Sequence, residues 1–295
     1  MDKIIVEARV NELARRDLNP NVPFSPTEIA ADAAACSDSG AAIVHWHGRA
    51  PDGSPDNSPD HYLETIRRVR AACPALLHPS LGYVANKNTP EGRFAAIEAA
   101  MSDPETRVDF APMDTGSVNV DWWDPEAGTY ATTDLVYENS TATLLHFARR
   151  IRHHRLKPYC VSWNVSFTRQ LEALMAMGEV ERPAYLCFCL TDGTMLSGHP
   201  GTAAGLDAHL AFLPEGSVWT VVNYKGDILA LTGRIIAAGG HVSLGTGDYH
   251  HPDLGQPTNA ELVERVVAQA RAHGREPASV EETRAILGME APAAA

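Results

Sequence analysis

Residues 25–47 read SPTEIAADAAACSDSGAAIVHWH and contain one complete helix-to-strand unit. Ser25, Pro26 and Glu28 have the residue types favoured at the cap, first and third positions of a helix, which predicts a helix over 26–37. An apolar run of strand length follows at 41–47. Apolar runs without strict alternation are typical of parallel strands covered on both faces. This stretch therefore predicts one unit of a parallel α/β fold.

The same unit recurs along the 295-residue chain. Further apolar runs predict strands at 4–10, 75–80, 108–113, 158–163, 185–190, 218–223 and 241–246. Amphipathic stretches predict helices over about 60–72, 90–102, 140–154, 167–177, 202–212, 227–238 and 258–273, with an extra helix at 279–287. Eight strand–helix repeats with short connections predict a single-domain (β/α)8 TIM barrel over residues 1–295, with a frayed tail at 290–295.

The segment over about 113–139, which contains DWWDPEAGTYATTD, is long for a connection between a strand and a helix. Long ordered loops on the catalytic face of a barrel often cover the active site. We therefore predict that this segment forms a lid.

Composition excludes several classes of function. The net charge is −13, from 24 basic and 37 acidic residues, and such a field disfavours nucleic acid and anionic membranes as partners. No apolar run reaches membrane-spanning length, and the N-terminus lacks the features of a signal peptide. The five cysteines form no CxxC pair and are interpreted as buried thiols in a reducing compartment. A cytoplasmic enzyme is expected.

The most informative motif is His45-Trp46-His47 at the end of the second predicted strand. Alternation along a strand places His45 and His47 on one face, about 6–7 Å apart along the chain. Two imidazoles so placed can chelate one divalent ion. The alternative is a pair of hydrogen-bonded histidines that line a polar barrel mouth.

Other polar residues end neighbouring strands, where barrel active sites lie. His78 and Ser80 share a face; His78 is an extra metal ligand, a substrate contact or a cap on the barrel core. Ser80 with Gly82 resembles a small anion-binding or oxyanion turn. Asp248 follows the last predicted strand, and we consider it a metal ligand, a general base or a turn cap. His250 is a further candidate ligand, unless it is merely exposed.

Two arginines are candidates for binding an anionic substrate, because the overall charge of the chain repels anions. Arg49 lies just beyond the histidine pair, and Arg9 lies at the end of the first predicted strand. For Arg49 the alternative interpretation is a surface salt bridge, since such pairs are common and individually weak.

Taken in order, several stretches resemble the β-keto acid cleavage enzymes, and the resemblance extends over nearly the whole chain. The best example is HWHGRAPDG at 45–53. Other matching stretches lie at 20–23, 25–28, 80–82, 116–119, 239–242, 258–263 and 278–287. No single stretch is decisive, but their joint order and spacing are specific.

The resemblance implies a zinc-dependent barrel that forms a homo-oligomer, a tetramer by analogy. Members of the family react a β-keto acid with acetyl-CoA in a retro-Claisen cleavage, which releases acetoacetate and a new acyl-CoA. The zinc-binding histidine pair of the family corresponds to His45 and His47. The metal would act there as a Lewis acid on the ketone. By the same resemblance, Ser80 is assigned a catalytic and substrate-binding role and Asp114 a substrate contact.

The chain departs from the family pattern in its last strand, which in the family reads Gly-His-(Val/Ile)-Arg-x-Gly-x-Glu-Asp. Ser243 stands at the arginine position and Gly247 at the glutamate position, which in the family is a zinc ligand. Only the aspartate remains, as Asp248. After Pro158, where the family has acidic residues, the chain reads Tyr-Cys-Val. A replacement third ligand is therefore required, and we predict Asp248, with His78 or His250 as the alternatives. If Asp248 is not a ligand, we predict that it acts as the base.

Two other functions remain open at this point. One is a different metal-dependent lyase or hydrolase that acts on a small keto acid. The other is a non-catalytic relative that binds a metabolite, which the loss of the arginine and glutamate would explain. A shared fold does not by itself decide among them.

Overall fold

The computed structural model describes residues 3–82 and 89–290. Within these residues, eight parallel strands form one sheet. We label them β1 Val6–Arg9, β2 Ile43–Trp46, β3 Leu76–Pro79, β4 Phe110–Asp114, β5 Lys157–Ser162, β6 Ala184–Thr191, β7 Ser217–Tyr224 and β8 His241–Leu244. The helices are α1 Pro26–Asp38, α2 Pro59–Ala72, α3 Pro90–Met101, α4 Thr141–His153, α5 Val165–Ala176, α6 Ala203–Leu210, α7 Leu229–Ala237, α8 Asn259–Ala272 and α9 Val280–Ile286. The predicted strand–helix repeats are confirmed.

The strand order is β3-β2-β1-β8-β7-β6-β5-β4, so β1 pairs with β8 and the sheet curls into a nearly closed barrel. The two ends of the sheet meet at Asp109, which precedes β4. Its backbone N–H donates to Leu77 O at 3.1 Å, and its carboxylate accepts from Leu77 N at 2.8 Å. The predicted TIM-barrel fold is confirmed.

Local signals fix the starts of the helices. The predicted capping box at Ser25 and Glu28 is present, and Thr258 and Glu261 form another at the start of α8. Ser58 caps α2 through its side chain. Each cap satisfies backbone donors that a helix start would otherwise leave without partners.

Apolar side chains form two layers. One cluster fills the interior of the barrel with aromatic and aliphatic residues, including Ile5, Phe110 and Tyr185. A larger cluster lies between the outer face of the strands and the helices. All five cysteines are free and buried, as predicted. The strands are therefore covered on both faces, which explains their near-continuous apolar character.

The segment predicted as a lid contains two short antiparallel ladders. Val118–Asn119 pairs with Val136–Tyr137, and Trp123–Asp124 pairs with Thr129–Tyr130. The segment contacts the loop that follows β6, where Trp123 N donates to Thr194 O at 2.9 Å. It therefore extends over carboxyl ends of the strands. Movement of this segment as a lid stays a prediction.

Among the helices of the described residues, none has the length and apolar character needed to cross a membrane. Most of the predicted frayed tail, 290–295, lies outside the described residues.

Candidate metal centre

The histidine pair faces a carboxylate that the sequence reasoning did not select. Glu12, in the loop after β1, places Oε1 2.9 Å from His45 Nε2 and Oε2 2.7 Å from His47 Nε2. The side chains of His45 and Glu12 are only 4% and 8% exposed, and that of His47 is 19% exposed. The ligand atoms of all three residues lie within 4.8 Å of one another, which is close enough to hold one metal ion.

The hydrogen bonds of His45 test whether a metal fits this group. His45 Nδ1 lies 2.7 Å from His78 O, and a carbonyl oxygen only accepts, so Nδ1 carries the proton. Burial lowers the pKa of His45 to about 3, so the ring is neutral and its Nε2 presents a lone pair. That lone pair faces a carboxylate oxygen of Glu12. Two acceptors 2.9 Å apart need a proton or a metal ion bound to both, and together with His47 the three groups have a ligand set and spacing that fit a divalent metal ion.

Arg9 connects Glu12 to Asp248. Its guanidinium donates to Glu12 Oε1 through Nη2 and to Asp248 Oδ1 through Nε, the latter at 3.0 Å. Burial opposes the charge of Glu12, but the positive charge of Arg9 is the strongest opposing cause, and the pKa of Glu12 lies well below its usual range. Glu12 is therefore a carboxylate at neutral pH, as a metal ligand must be.

Asp248, predicted as the third ligand or the base, lies at the same mouth but belongs to neither group of candidate ligands in the described residues. Burial raises its pKa to about 8, although Arg9 lowers it. Its Oδ1 accepts from Arg9, and its buried Oδ2 contacts no hydrogen-bond partner. Asp248 therefore has one oxygen that can hold a proton.

The backbone explains why Glu12 rather than position 247 supplies the carboxylate. A Cβ added to Gly247 would lie 2.8 Å from the backbone of Asn11 and Glu12. Contacts that short do not occur, so the loop after β1 occupies the space that any side chain at 247 would need. Asn11 fixes that loop, because its Nδ2 donates to His47 O at 2.9 Å and its Oδ1 accepts from His47 N at 2.8 Å.

The structure does not support the predicted substrate contact of Arg49. Its guanidinium donates to four backbone carbonyls, those of Asn11, Glu12, Ala14 and Gly53. The ring of Phe24 covers it at 4.5 Å, and Arg49 is only 4% exposed. Arg49 therefore stabilises the loop that carries Glu12.

A second carboxylate, Glu7, lies inside the barrel below the mouth. His78 Nδ1 donates to Glu7 Oε1 at 2.6 Å, while the hydroxyls of Tyr159, at 2.6 Å, and Ser243 donate to Oε2. Burial raises the pKa of Glu7, but His78 outweighs it and brings the pKa to about 2. Ser243 and Tyr159 thus both bind Glu7. Both occupy positions at which the sequence differs from the family pattern.

Glu7, His45 and His78 form a second group close enough to hold a metal. Both oxygens of Glu7 already accept hydrogen bonds. His45 Nδ1 is committed to the carbonyl of His78. The group of Glu12, His45 and His47 is therefore the better metal site, and His78 packs against it with its ring centroid 4.3 Å from that of His45.

The remaining predicted site residues lie in other contacts. Ser80 Oγ accepts from Gly82 N at 2.9 Å and closes a tight turn. The carboxylate of Asp114 accepts from Tyr137 OH at 2.7 Å and from Trp163 Nε1 at 2.6 Å. His250 packs against a tyrosine ring and belongs to neither ligand group in the described residues.

Sequence reasoning missed Glu12 and Glu7, although both carried a signal. Glu12 follows a predicted strand at the same relative place that drew attention to Asp248. Glu7 and Arg9 are two residues apart in β1, so alternation alone places them on one face.

Comparisons with known proteins identify the family of the chain. The family model described as beta-keto acid cleavage enzyme matches residues 3–289. A 3-keto-5-aminohexanoate cleavage enzyme from Acetoanaerobium sticklandii is 27% identical over 293 residues, 98% of this chain and 99% of that one. A 3-oxoadipate:acetyl-CoA acetyltransferase from Cupriavidus necator is 26% identical over 288 residues, 97% of this chain and 94% of that one.

Among solved structures, the apo form of ObcA superposes with a TM-score of 0.70 at 14% sequence identity, over 92% of this chain and 66% of that chain. This likeness supports the fold alone. The match over nearly the full length confirms the resemblance inferred from the motifs, and with it an enzyme of the β-keto acid cleavage type. The chain belongs to the beta-keto acid cleavage enzyme family.

Proposed function

We propose that this enzyme is metal-dependent and transfers an acyl group between a β-keto acid and acetyl-CoA, which gives acetoacetate and a new acyl-CoA. The observation that carries the proposal is the carboxylate of Glu12, 2.9 and 2.7 Å from the facing Nε2 atoms of His45 and His47. The name of the Cupriavidus necator relative, an acetyl-CoA acetyltransferase, supports acetyl-CoA as the second substrate.

We propose Glu12, His45 and His47 as the ligands, and zinc as the metal. Two imidazoles and one carboxylate are a ligand set that zinc enzymes use, with a further position left for substrate. When bound, the ion supplies a Lewis acid that polarises the ketone of the β-keto acid. Glu12 thereby replaces the glutamate that the family has at position 247.

The charged residues of the mouth have distinct tasks in this proposal. Arg9 keeps Glu12 ionised and orients Asp248 through Oδ1. Asp248 accepts and returns a proton at Oδ2, which has no hydrogen-bond partner among the described residues. His78, oriented by Glu7, packs against His45 and fixes its tautomer through the backbone carbonyl. Asp248 is thus the proposed base. Glu12 is the proposed third ligand, the role that the sequence analysis predicted for Asp248.

The experiment is an isotope-transfer assay on the zinc-loaded enzyme. Acetyl-CoA labelled with carbon-13 in the acetyl group is mixed with a series of β-keto acids, and the products are identified by mass spectrometry. The expected result is acetoacetate that carries the label, together with an unlabelled acyl-CoA made from the keto acid.

A variant with His45→Ala and His47→Ala is the control, and it should form neither product. Cleavage of a keto acid without label in acetoacetate would contradict acetyl-CoA as the partner and favour a different lyase or hydrolase. Binding without any cleavage would favour the non-catalytic alternative.

We further expect a homo-oligomer, which light scattering would check.

A further inference from the structure

Lys225 stands at the mouth of the barrel, directly after β7. Its backbone N–H donates to Asp248 O at 2.9 Å, so it joins the loops that follow β7 and β8. These are the loops with which barrel enzymes frequently bind anionic groups.

The other cations considered for this mouth are already engaged. Arg9 is paired with Glu12 and Asp248, and the guanidinium of Arg49 is held by backbone carbonyls. No hydrogen bond or ion pair joins Lys225 Nζ to another residue in the part of the chain that the structure describes. Lys225 therefore retains its three donors for a ligand.

Two aromatic rings hold the ammonium in place. Nζ lies 4.9 Å from the ring centroid of Tyr224 and 5.5 Å from that of Trp122, which belongs to the lid segment. Both distances fall within the range of cation–π attraction. The Tyr224 hydroxyl likewise makes no hydrogen bond to any of the described residues, so a second donor stands beside the ammonium.

We propose that Lys225, between Trp122 and Tyr224, binds an anionic group of a substrate and thereby determines which acids this enzyme accepts. The inference rests on the proposed function, in which both substrates are anions. The mouth itself carries the carboxylates of Glu12, Asp248 and Asp114, so an anionic substrate needs a local cation. The bound group is a carboxylate of the keto acid or a phosphate of the coenzyme, which share the same chemistry.

The test uses the zinc-loaded protein and three variants. Lys225→Met removes the charge and keeps the length of the side chain, and Lys225→Arg restores the charge. Arg155→Met is the matched control, since it removes one positive charge from a side chain 82% exposed, between α4 and β5 at the opposite end of the barrel. Calorimetry at low ionic strength measures the binding of acetoacetate, 3-oxoglutarate and free coenzyme A.

We expect Lys225→Met to weaken at least one of these ligands by about tenfold or more, the loss of one charge-assisted hydrogen bond. Lys225→Arg should stay within about threefold, and Arg155→Met should match the wild type. If only the two acids bind more weakly, the bound group is a carboxylate. If only 3-oxoglutarate binds more weakly, the bound group is its second carboxylate. If only coenzyme A binds more weakly, the bound group is a phosphate.

The assignment is overturned if Lys225→Met binds all three ligands as tightly as Arg155→Met does, or if the wild type binds none of them. Metal content is measured in parallel and should be the same in all variants. If the wild type binds an acid but forms no acetoacetate, the proposed function fails while the role of Lys225 is still decided by binding alone.

Discussion

Glu12 and Asp248 are the two carboxylates that compete for the role of third metal ligand. Glu12 lies within 3 Å of both imidazole nitrogens, whereas Asp248 reaches the centre only through Arg9. Both residues follow barrel strands that are neighbours in the sheet. Their roles differ because only the loop after β1 comes close enough to the histidine pair.

Substitution of the two carboxylates distinguishes these roles. We expect Glu12→Gln to lower zinc affinity by about 1000-fold or more, because an amide oxygen is a poorer ligand than a carboxylate. Asp248→Asn should lower zinc affinity by no more than about 100-fold. This is the usual loss when the removed residue does not itself bind the metal. Zinc affinity is measured by competition with a chelator.

Asp248→Asn should also lower turnover sharply while the metal remains bound, because the amide cannot accept a proton. If Asp248→Asn instead loses the metal and Glu12→Gln retains it, Asp248 is the ligand. In that case the contact between Glu12 and the histidines has only a structural role.

At the scale of elements, a carboxylate at the end of β4 is one of the contacts that join the lid segment to the barrel. Asp114 accepts from Tyr137, on the returning strand of the lid, and from Trp163, which follows β5. The lid also places Trp122 over Lys225. We therefore expect the Asp114 contact to hold the lid segment against the barrel.

We expect Tyr137→Phe to loosen the lid without unfolding the barrel. The substitution removes a hydrogen bond worth about 1 kcal/mol, so local opening should become easier while global stability changes little. Hydrogen–deuterium exchange of peptides over 115–139 measures the opening. Tyr130→Phe, in the same segment and 47% exposed, is the matched control. Equal exchange in the two variants would contradict the anchoring role of Asp114.

At the scale of the whole molecule, the helices α1 and α8 meet beside the first and last strands of the barrel. Asn259, at the start of α8, donates to the half-buried Asp32 of α1 at 2.6 Å. It also donates to Val10 O and accepts from Thr246 N, so it connects both helices to the strand ends. Burial raises the pKa of Asp32 to about 7, although the hydrogen bond from Asn259 lowers it.

This pKa predicts how stability depends on pH. In the unfolded chain the pKa of Asp32 is about 3.9. Between that pH and about 7, the folded state therefore binds one more proton than the unfolded state. The contribution of Asp32 to the free energy of unfolding is fully present below about pH 4. It is lost as the pH rises through about 7, and the loss is at most about 4 kcal/mol.

Asp32→Asn should remove this pH dependence, so the variant should gain stability relative to the wild type as the pH rises from about 4 to about 8. Urea unfolding measures the free energy. Asp38→Asn, at an exposed position of the same helix, is the control. A constant difference between wild type and Asp32→Asn at all pH values would show that Asp32 is ionised in the folded state.

The sequence alone determined the elements and their order. Apolar periodicity and helix caps act between residues close in the chain, so eight strand–helix units and the capping box at Ser25 could be predicted. Alternation within β2 placed His45 and His47 on one face for the same reason. The family motifs then identified the class of enzyme, because their order along the chain is itself a property of the sequence.

The tertiary structure decided which side chains meet. Glu12 reaches the histidines because the loop after β1 fills the space beside Gly247. The donors of Arg49 are engaged because the carbonyls of that same loop accept its hydrogen bonds. Among the described residues, no carboxylate pairs with Lys225, and those of Glu12 and Asp248 at the same mouth are held by Arg9. Such contacts depend on the path of loops through space, which neither periodicity nor spacing in the sequence records.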